Sequence, residues 1–213
     1  MKIEIVSDVV CPWCYIGKRR IEAALKLYAR DNPGAEKPTV TWRPFQLNPD
    51  MPPAGLPRAE YRRAKFGSVE RSRQLDARVA AEGRGEGIEF ALERIERTPN
   101  TFAAHQLIDL AQERGAGGAV VDALFRAYFE QARDTGDREV LLGIAADAGL
   151  PRAEVEARWA DAAQARRMAR LEESMKQLGI SGVPTFIFER KLSVSGAQAP
   201  EALAAAMREA ATP

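Results

Sequence analysis

The chain has 213 residues, of which 46% are hydrophobic and 29% are charged, as in an ordinary soluble globular protein. Its 31 Lys and Arg against 30 Asp and Glu leave a net charge of +1, which gives no electrostatic reason to expect a nucleic acid or an anionic membrane as partner. The first residues do not resemble a signal peptide and no stretch approaches the length of a membrane span, so a cytoplasmic location is expected.

The opening of the chain predicts a βαβ unit. Lys2–Val6 has the apolar character of a short buried strand, and Thr39–Arg43 alternates as a strand does. Between them, apolar residues recur at helical spacing after Pro12, a residue suited to the first turn of a helix. The only two cysteines, Cys11 and Cys14, therefore fall where the first strand meets the helix.

The middle of the chain predicts a helical insertion. A proline-rich connector, Pro44 to Pro57, precedes a helical pattern that continues to about Leu178. A wide apolar stripe marks one of its helices, and it comprises Val121, Leu124, Phe125, Tyr128 and Phe129. Three glycines are expected to interrupt the pattern as a flexible loop: Gly83, Gly85 and Gly87.

Strand character returns near the C-terminus. Thr185–Glu189 and Leu192–Ser195 predict two strands joined by a tight turn, and a last helix follows Pro200. The two ends thus supply βαβ and ββα halves of one α/β domain. We expect this domain to comprise residues 1–55 and 179–213, with residues 56–178 forming an inserted helical domain.

The cysteine spacing favours redox chemistry. Three residues apart at a helix start, the two sulfurs lie on one face and can form a disulfide, but so small a ring stabilises a fold only modestly. The helix N-terminus favours a thiolate at Cys11, which makes Cys11 the nucleophile and Cys14 the resolving thiol. Pro12 and Trp13 are expected to support catalysis, because they shape the amide groups that face the Cys11 sulfur.

Three other interpretations of the pair remain open. Two cysteines and one histidine give at most three zinc ligands, whereas a structural zinc site usually has four, so no metal is expected. The cysteines can also be buried and inert, or belong to a binding protein without enzymatic activity. A CxxC motif at the mouth of a βαβ pattern is nevertheless a fairly strong indication of a thiol–disulfide enzyme.

The sequence resembles the DsbA-like thioredoxin superfamily, and within it the FrnE subgroup. The resemblance covers essentially the whole chain, because the matching segments run from near the N-terminus to the last strands. They are Ser7–Gly17 with its CPWC motif, Arg97–His105, Gly182–Phe186 and Ser195–Gln198. It implies a thioredoxin-like fold with a large helical insertion and the activity of a protein-disulfide oxidoreductase or isomerase.

The resemblance also implies how substrate binds. Pro184 is expected to be a cis proline opposite Cys11, exposing the Val183 backbone to an extended peptide or to glutathione. An ordinary proline at a strand start is the alternative. The expected partners are a thiol or disulfide protein or a small thiol, with no bound cofactor, glutathione as a candidate redox co-substrate, and a monomer or homodimer as the assembly.

Relatives of the same architecture suggest a second function. They include 2-hydroxychromene-2-carboxylate isomerases and kappa-class glutathione transferases, which typically have serine at the first cysteine position. A glutathione-dependent isomerase or transferase acting on a small aromatic substrate is therefore the alternative. Cys11 and Cys14 favour disulfide exchange instead.

Three further residues are weaker candidates. Asp8 is expected either to accept a proton from Cys14 or to cap the helix or pair with a cation. His105, the only histidine, either faces the active site and supports a Cys11 thiolate or is an ordinary core or surface residue. Asn100 is either a substrate-binding residue or a helix cap beside Pro99.

Overall fold

The structure, a computed structural model, describes residues 1–212; Pro213, which the predicted domain 179–213 includes, lies outside the described residues. Six strands are present in this range: β1 (Lys2–Ser7), β2 (Thr39–Pro44), β3 (Leu56–Pro57), β4 (Arg97–Thr98), β5 (Thr185–Phe188) and β6 (Leu192–Ser195). Nine α-helices accompany them: α1 (Pro12–Asp31), α2 (Arg58–Phe66), α3 (Val69–Gly85), α4 (Phe102–Glu113), α5 (Gly117–Phe125), α6 (Arg138–Asp147), α7 (Arg152–Ala160), α8 (Ala162–Gln177) and α9 (Pro200–Ala211).

The main sheet has the strand order β2-β1-β5-β6. β1 and β2 are parallel and joined by α1, which confirms the predicted βαβ unit. β5 runs antiparallel to β1, and β6 antiparallel to β5 through the predicted tight turn. β1 is central, and every residue of it after Lys2 is buried, including Glu4 between the apolar Ile3 and Ile5. The sheet therefore brings the two ends of the chain together.

Helices α2 to α8 all lie between β2 and β5 in the chain, as the helical pattern predicted. Apolar side chains of α3 to α7 join the sheet in one continuous core, in which Ile3 and Phe186 of the sheet belong to the same cluster as Leu107 and Phe125 of the insertion. The division into domains at residues 55/56 and 178/179 stays a prediction. Strands β3, which precedes α2, and β4, which follows α3, form a short antiparallel pair and so bring together the two ends of the segment that contains both helices.

The expectation of a loop at Gly83 and Gly85 was wrong. α3 continues through both residues, and only Gly87, with a φ of +70°, lies in the turn that follows. A Cβ at Gly83 would stand 2.3 Å from Cε2 of Phe90, so glycine at this position allows the Phe90 ring to pack directly on the helix. The glycine therefore serves packing inside a helix.

The apolar stripe predicted over Val121–Phe129 is buried as expected. α5 carries its first half, and a single π-helical turn, Arg126–Glu130, carries the second. Within residues 1–212, no helix combines the length and the apolarity that crossing a membrane requires.

Candidate active site

The two cysteines lie at the N-terminal end of α1. Cys11 is the N-cap residue with extended backbone angles (φ −92°, ψ 111°), and Pro12 begins the helix. The Cys11 carbonyl accepts the first helical hydrogen bond from the Cys14 N–H at 3.0 Å. The N-terminus of a helix carries a partial positive charge, so the Cys11 side chain lies where a negatively charged group is stabilised.

The Cys11 sulfur faces the loop before β5. Its Sγ lies 3.6 Å from the carbonyl oxygen of Val183, although 172 residues separate the two in sequence. The Val183–Pro184 peptide bond is cis, as the resemblance implies. The structure therefore brings together Cys11, Val183 and Pro184 from opposite ends of the chain.

Cys14 lies one turn deeper and is 1% exposed. Both cysteines are free thiols. Burial raises the pKa of Cys14 well above its ordinary value, and the hydrogen bond and charge of Cys11 act in the same direction. Hydrogen bonds from the Asp8 backbone and the Ser7 side chain oppose this effect. Cys14 is thus held as the neutral thiol while Cys11 occupies the helix end.

Asp8 and His105 form a buried pair behind the cysteines. One Asp8 carboxylate oxygen, Oδ2, accepts a hydrogen bond from the Leu47 N–H at 2.8 Å. The other, Oδ1, lies 3.3 Å from Nε2 of His105, but the geometry is not that of a hydrogen bond, and neither atom has a hydrogen-bond partner within residues 1–212. The Asp8 side chain does not cap α1, so that part of the alternative was wrong. Its position beside His105 is consistent with the other part, a pairing with a nearby cation.

A small cavity adjoins this pair. It measures about 20 Å³, and its lining includes Ser7 and His105. That volume accommodates one water molecule. Ser7 was not singled out in the sequence, where an isolated serine before an aspartate gives no signal of its own.

The Asn100 side chain forms two hydrogen bonds with other residues of the protein. Its Oδ1 accepts a hydrogen bond from the Phe102 N–H at 2.9 Å, at the start of α4. Its Nδ2 donates to the Met51 carbonyl at 2.7 Å and so ties α4 to the connector. This is the cap-like role that the sequence offered as one alternative.

A larger cavity of about 420 Å³ opens beside Cys11, and we call it the Cys11 cavity. The N-terminus of α1 and the α2–α3 hairpin form its walls. Its lining includes Cys11, Trp13, Arg58, Arg62, Phe66 and Tyr128. Arg58 and Arg62 went unnoticed in the sequence, although their i, i+4 spacing predicts that they share one helix face.

Within residues 1–212, no three His, Cys, Asp or Glu side chains are grouped as metal ligands. A dithiol at the first turn of α1, facing a cis X–Pro bond at the start of β5, is the arrangement of a thioredoxin-like protein. The sheet order and the helical insertion agree with that class.

The chain belongs to the family described as the DSBA-like thioredoxin domain, which matches residues 2–208. It is 37% identical to a probable DsbA oxidoreductase, SCO1869, from Streptomyces coelicolor, with a TM-score of 0.88 over 100% of this chain and 92% of that chain. The family is therefore that of DsbA-like oxidoreductases.

Two more distant structures share the fold. A 2-hydroxychromene-2-carboxylate isomerase is 15% identical, with a TM-score of 0.72 over 98% of this chain and 95% of that chain. The cytosolic disulfide reductase DsbM from Pseudomonas aeruginosa, solved with GSH, is 20% identical, with a TM-score of 0.66 over 98% of both chains.

Proposed function

We propose that the protein exchanges a disulfide between its Cys11–Cys14 pair and a thiol or disulfide substrate. The observation that carries the proposal is the placement of the Cys11 sulfur at the N-terminus of α1, 3.6 Å from the Val183 carbonyl. A thiolate is the reactive form of cysteine, and the helix end stabilises it.

The exchange takes two steps. The Cys11 thiolate attacks a substrate disulfide, forms a mixed disulfide and releases one substrate thiolate. Cys14 then loses its proton and attacks the Cys11 sulfur, which closes the Cys11–Cys14 disulfide and releases the second thiolate. The reverse sequence oxidises a substrate dithiol. Its buried environment keeps Cys14 protonated until the mixed disulfide has formed.

The substrate backbone is proposed to lie along the loop before β5. Val183 is half-buried beside Pro184, and its peptide groups can pair with an extended chain in the manner of an added strand. Pro12 and Trp13 are half-buried and line the Cys11 cavity, so they contact whatever group approaches the sulfur. A substrate-binding role for Asn100 stays a prediction.

The proton of Cys14 is proposed to leave through Ser7 toward His105. The Ser7 side chain interacts with the Cys14 thiol, and Ser7 and His105 both line the cavity of about 20 Å³. Asp8 lies 3.3 Å from the imidazole and stabilises the imidazolium that forms when His105 accepts the proton. In this proposal His105 serves Cys14; its support of a Cys11 thiolate stays a prediction.

The co-substrate and the location are also proposals. DsbM was solved with GSH and is described as cytosolic, which supports glutathione as a redox co-substrate and the cytoplasm as the location here. Membership of the FrnE subgroup, and the monomer or homodimer, stay predictions.

Two cysteine variants test the proposal. Cys11→Ser should abolish reduction of hydroxyethyl disulfide by glutathione, because the nucleophile is gone. Cys14→Ser should retain the first step and accumulate a mixed disulfide at Cys11, detectable by mass spectrometry, while exchange with a dithiol substrate protein collapses. Reaction of Cys11→Ser at the wild-type rate would contradict the assignment. Glutathione-dependent isomerisation of an aromatic substrate that survives in Cys14→Ser would favour the alternative function.

A further inference from the structure

The Cys11 cavity has the size of a site for a small molecule. Its volume of about 420 Å³ falls within the range of about 300–1,000 Å³ that is usual for such sites. Most of its wall is apolar, with Trp13, Phe66 and Tyr128 contributing aromatic rings. Because Cys11 forms part of the same wall, a molecule in the cavity lies next to the reactive sulfur.

Positively charged residues outnumber negatively charged ones in the wall of the Cys11 cavity. Four cations line the cavity against a single carboxylate; these residues are Arg58, Arg62, Lys65 and Arg78, with Asp76 as the carboxylate. Exposed cations count for little, because solvent screens them. Two of the four are largely withdrawn from solvent, since the side chains of Arg58 and Arg62 are 12% and 14% exposed.

Asp76 is shared between these two arginines. Its Oδ1 lies 2.7 Å from Nη2 of Arg62, and its Oδ2 lies 3.4 Å from Nη2 of Arg58. Arg62 also donates to Ser72, whereas Asp76 is the one acidic partner of Arg58 among the described residues. One carboxylate therefore faces two guanidinium groups, so one of these two partly buried positive charges has no counter-ion of its own.

The titration of Arg62 agrees with an excess of positive charge. Burial lowers the pKa of the Arg62 guanidinium, and the neighbouring Arg58 cation lowers it further, despite the opposing effect of Asp76. A second anion in the cavity would relieve this repulsion. Arg58 has guanidinium N–H groups to donate to it, and arginine suits a planar carboxylate particularly well.

We propose that the Cys11 cavity binds small disulfides and thiols in which a carboxylate is attached to an apolar or aromatic body. The aromatic wall receives the apolar body, and Arg58 with Arg62 receives the carboxylate. The inference rests on the proposed function and specifies its substrate class.

The reaction with such a disulfide balances as follows. Cys11 forms a bond to one ligand sulfur while the S–S bond of the ligand breaks, and the first thiolate leaves with the electron pair. Cys14 gives up its proton, bonds to the Cys11 sulfur and releases the second thiolate. Starting from the Cys11 thiolate and the Cys14 thiol, the protein is oxidised by two electrons, the ligand disulfide is reduced to two thiolates, and the single proton of Cys14 passes to solvent.

Two matched disulfides test the inference on the reduced full-length protein. The acidic probe is para-carboxyphenyl disulfide, and the neutral probe is the same molecule with both carboxylates replaced by primary amides. Release of the aryl thiolate is followed by absorbance. The rate of each probe with the protein is divided by the rate of the same probe with an uncharged small-molecule thiol in solution, which corrects for the difference in intrinsic reactivity between the two disulfides. We expect the acidic probe to saturate the protein at a concentration about tenfold lower than the neutral probe, the effect of a charge-assisted hydrogen bond.

Variants then assign the effect to the arginines. Arg58→Gln should remove most of the preference for the acidic probe, and Arg58→Lys should restore part of it. Arg63→Gln is the matched control, because Arg63 belongs to the same helix but does not line the Cys11 cavity. Asp76→Asn should strengthen the preference, because it removes the competing carboxylate. A purely structural role for these residues would not predict this gain.

The outcomes separate the inference from the proposed function. Equal saturation by the two probes, or a preference that Arg58→Gln leaves intact, overturns the inference while disulfide exchange stands. Failure of both probes to react with the wild-type protein overturns the proposed function itself. An acidic peptide disulfide that saturates the protein at lower concentration than the acidic probe shows a protein substrate and also overturns the small-molecule assignment.

Discussion

Gly17 lies where α1 approaches the strand that follows Pro184. A Cβ added at Gly17 would stand 3.0 Å from Cγ of Pro184 and 3.1 Å from Cζ of Phe186, closer than ordinary van der Waals contact. Neither neighbour can move easily, because one is a rigid ring and the other is fully buried. Gly17→Ala should therefore push the Pro184 loop away from α1.

The expected cost follows from two opposing effects. Replacing glycine by alanine inside a helix stabilises it by about 1 kcal/mol. Overpacking a well-packed contact costs about 1–3 kcal/mol, so a net loss of up to about 2 kcal/mol is expected. For a chain of this size each kcal/mol corresponds to about 2–4 °C in Tm. The variant should therefore melt below the wild type, by up to about 4–8 °C.

Gly143→Ala is the matched control. Gly143 lies in the interior of α6, is exposed, and an added Cβ there meets only the end of the Arg133 side chain at 3.9 Å. This substitution should gain the helix propensity without the clash and raise Tm. The assay is thermal unfolding of the reduced proteins, with the rate of iodoacetamide alkylation at Cys11 measured alongside.

The two alanines should thus shift Tm in opposite directions, and only Gly17→Ala should change the alkylation rate, because the Val183 carbonyl moves with the loop. Equal stabilisation by both substitutions would refute the reasoning, since it would mean that α1 does not pack against Pro184 at this distance.

Three further outcomes are expected. Burial raises the pKa of Glu4, but Arg43 and Arg190 outweigh this effect and lower it below the ordinary value of 4.5. The ionised Glu4 therefore stabilises the fold fully above pH 4.5, and this stabilisation is lost as the pH falls through the lower folded-state pKa. In Glu4→Gln the free energy of unfolding, measured with urea, should depend less on pH over that acidic range, and an unchanged pH dependence would argue against the ion pairs. Iodoacetamide should add one group to the folded reduced protein, at Cys11, and two in denaturant, because Cys11, although only 5% exposed, lines the Cys11 cavity, whereas Cys14 does not line it and has a raised pKa. Peptide mapping that finds Cys14 modified first would reverse the assigned roles. His105→Gln should slow closure of the Cys11–Cys14 disulfide by about 10²-fold in quenched-flow measurements, while formation of the mixed disulfide stays fast. Equal slowing of both steps would show that His105 acts on the structure of the site and not on the proton of Cys14.

Local patterns in the sequence were enough to predict the dithiol and its setting. The strand before Cys11, the proline at the first helical position and the hairpin near the C-terminus are all signalled by neighbouring residues, and the structure contains each of them. The cis Val183–Pro184 bond was implied by the family resemblance rather than by any rule of composition.

Contacts between distant segments could not be predicted in this way. Lys18 is 4% exposed and forms an ion pair with Asp122 at 2.8 Å across 104 residues, and neither residue signals the other in the sequence. The pairing of Asp8 with His105 has the same character. The interpretation of Gly83 failed for a related reason, because the partner that explains it, Phe90, is brought against the helix only by the folded chain.

Segments that are distant in the sequence contribute different parts of the site. Cys11 and Cys14 come from the N-terminal βα junction, and Val183 comes from the C-terminal half of the sheet. The charged wall of the Cys11 cavity belongs to the α2–α3 hairpin, which supplies none of the reacting atoms. Since α2 contributes no residue to the apolar core that fixes the two sulfurs, its surface can change without disturbing that core. We infer that the dithiol determines the reaction and that the hairpin determines which disulfides reach it.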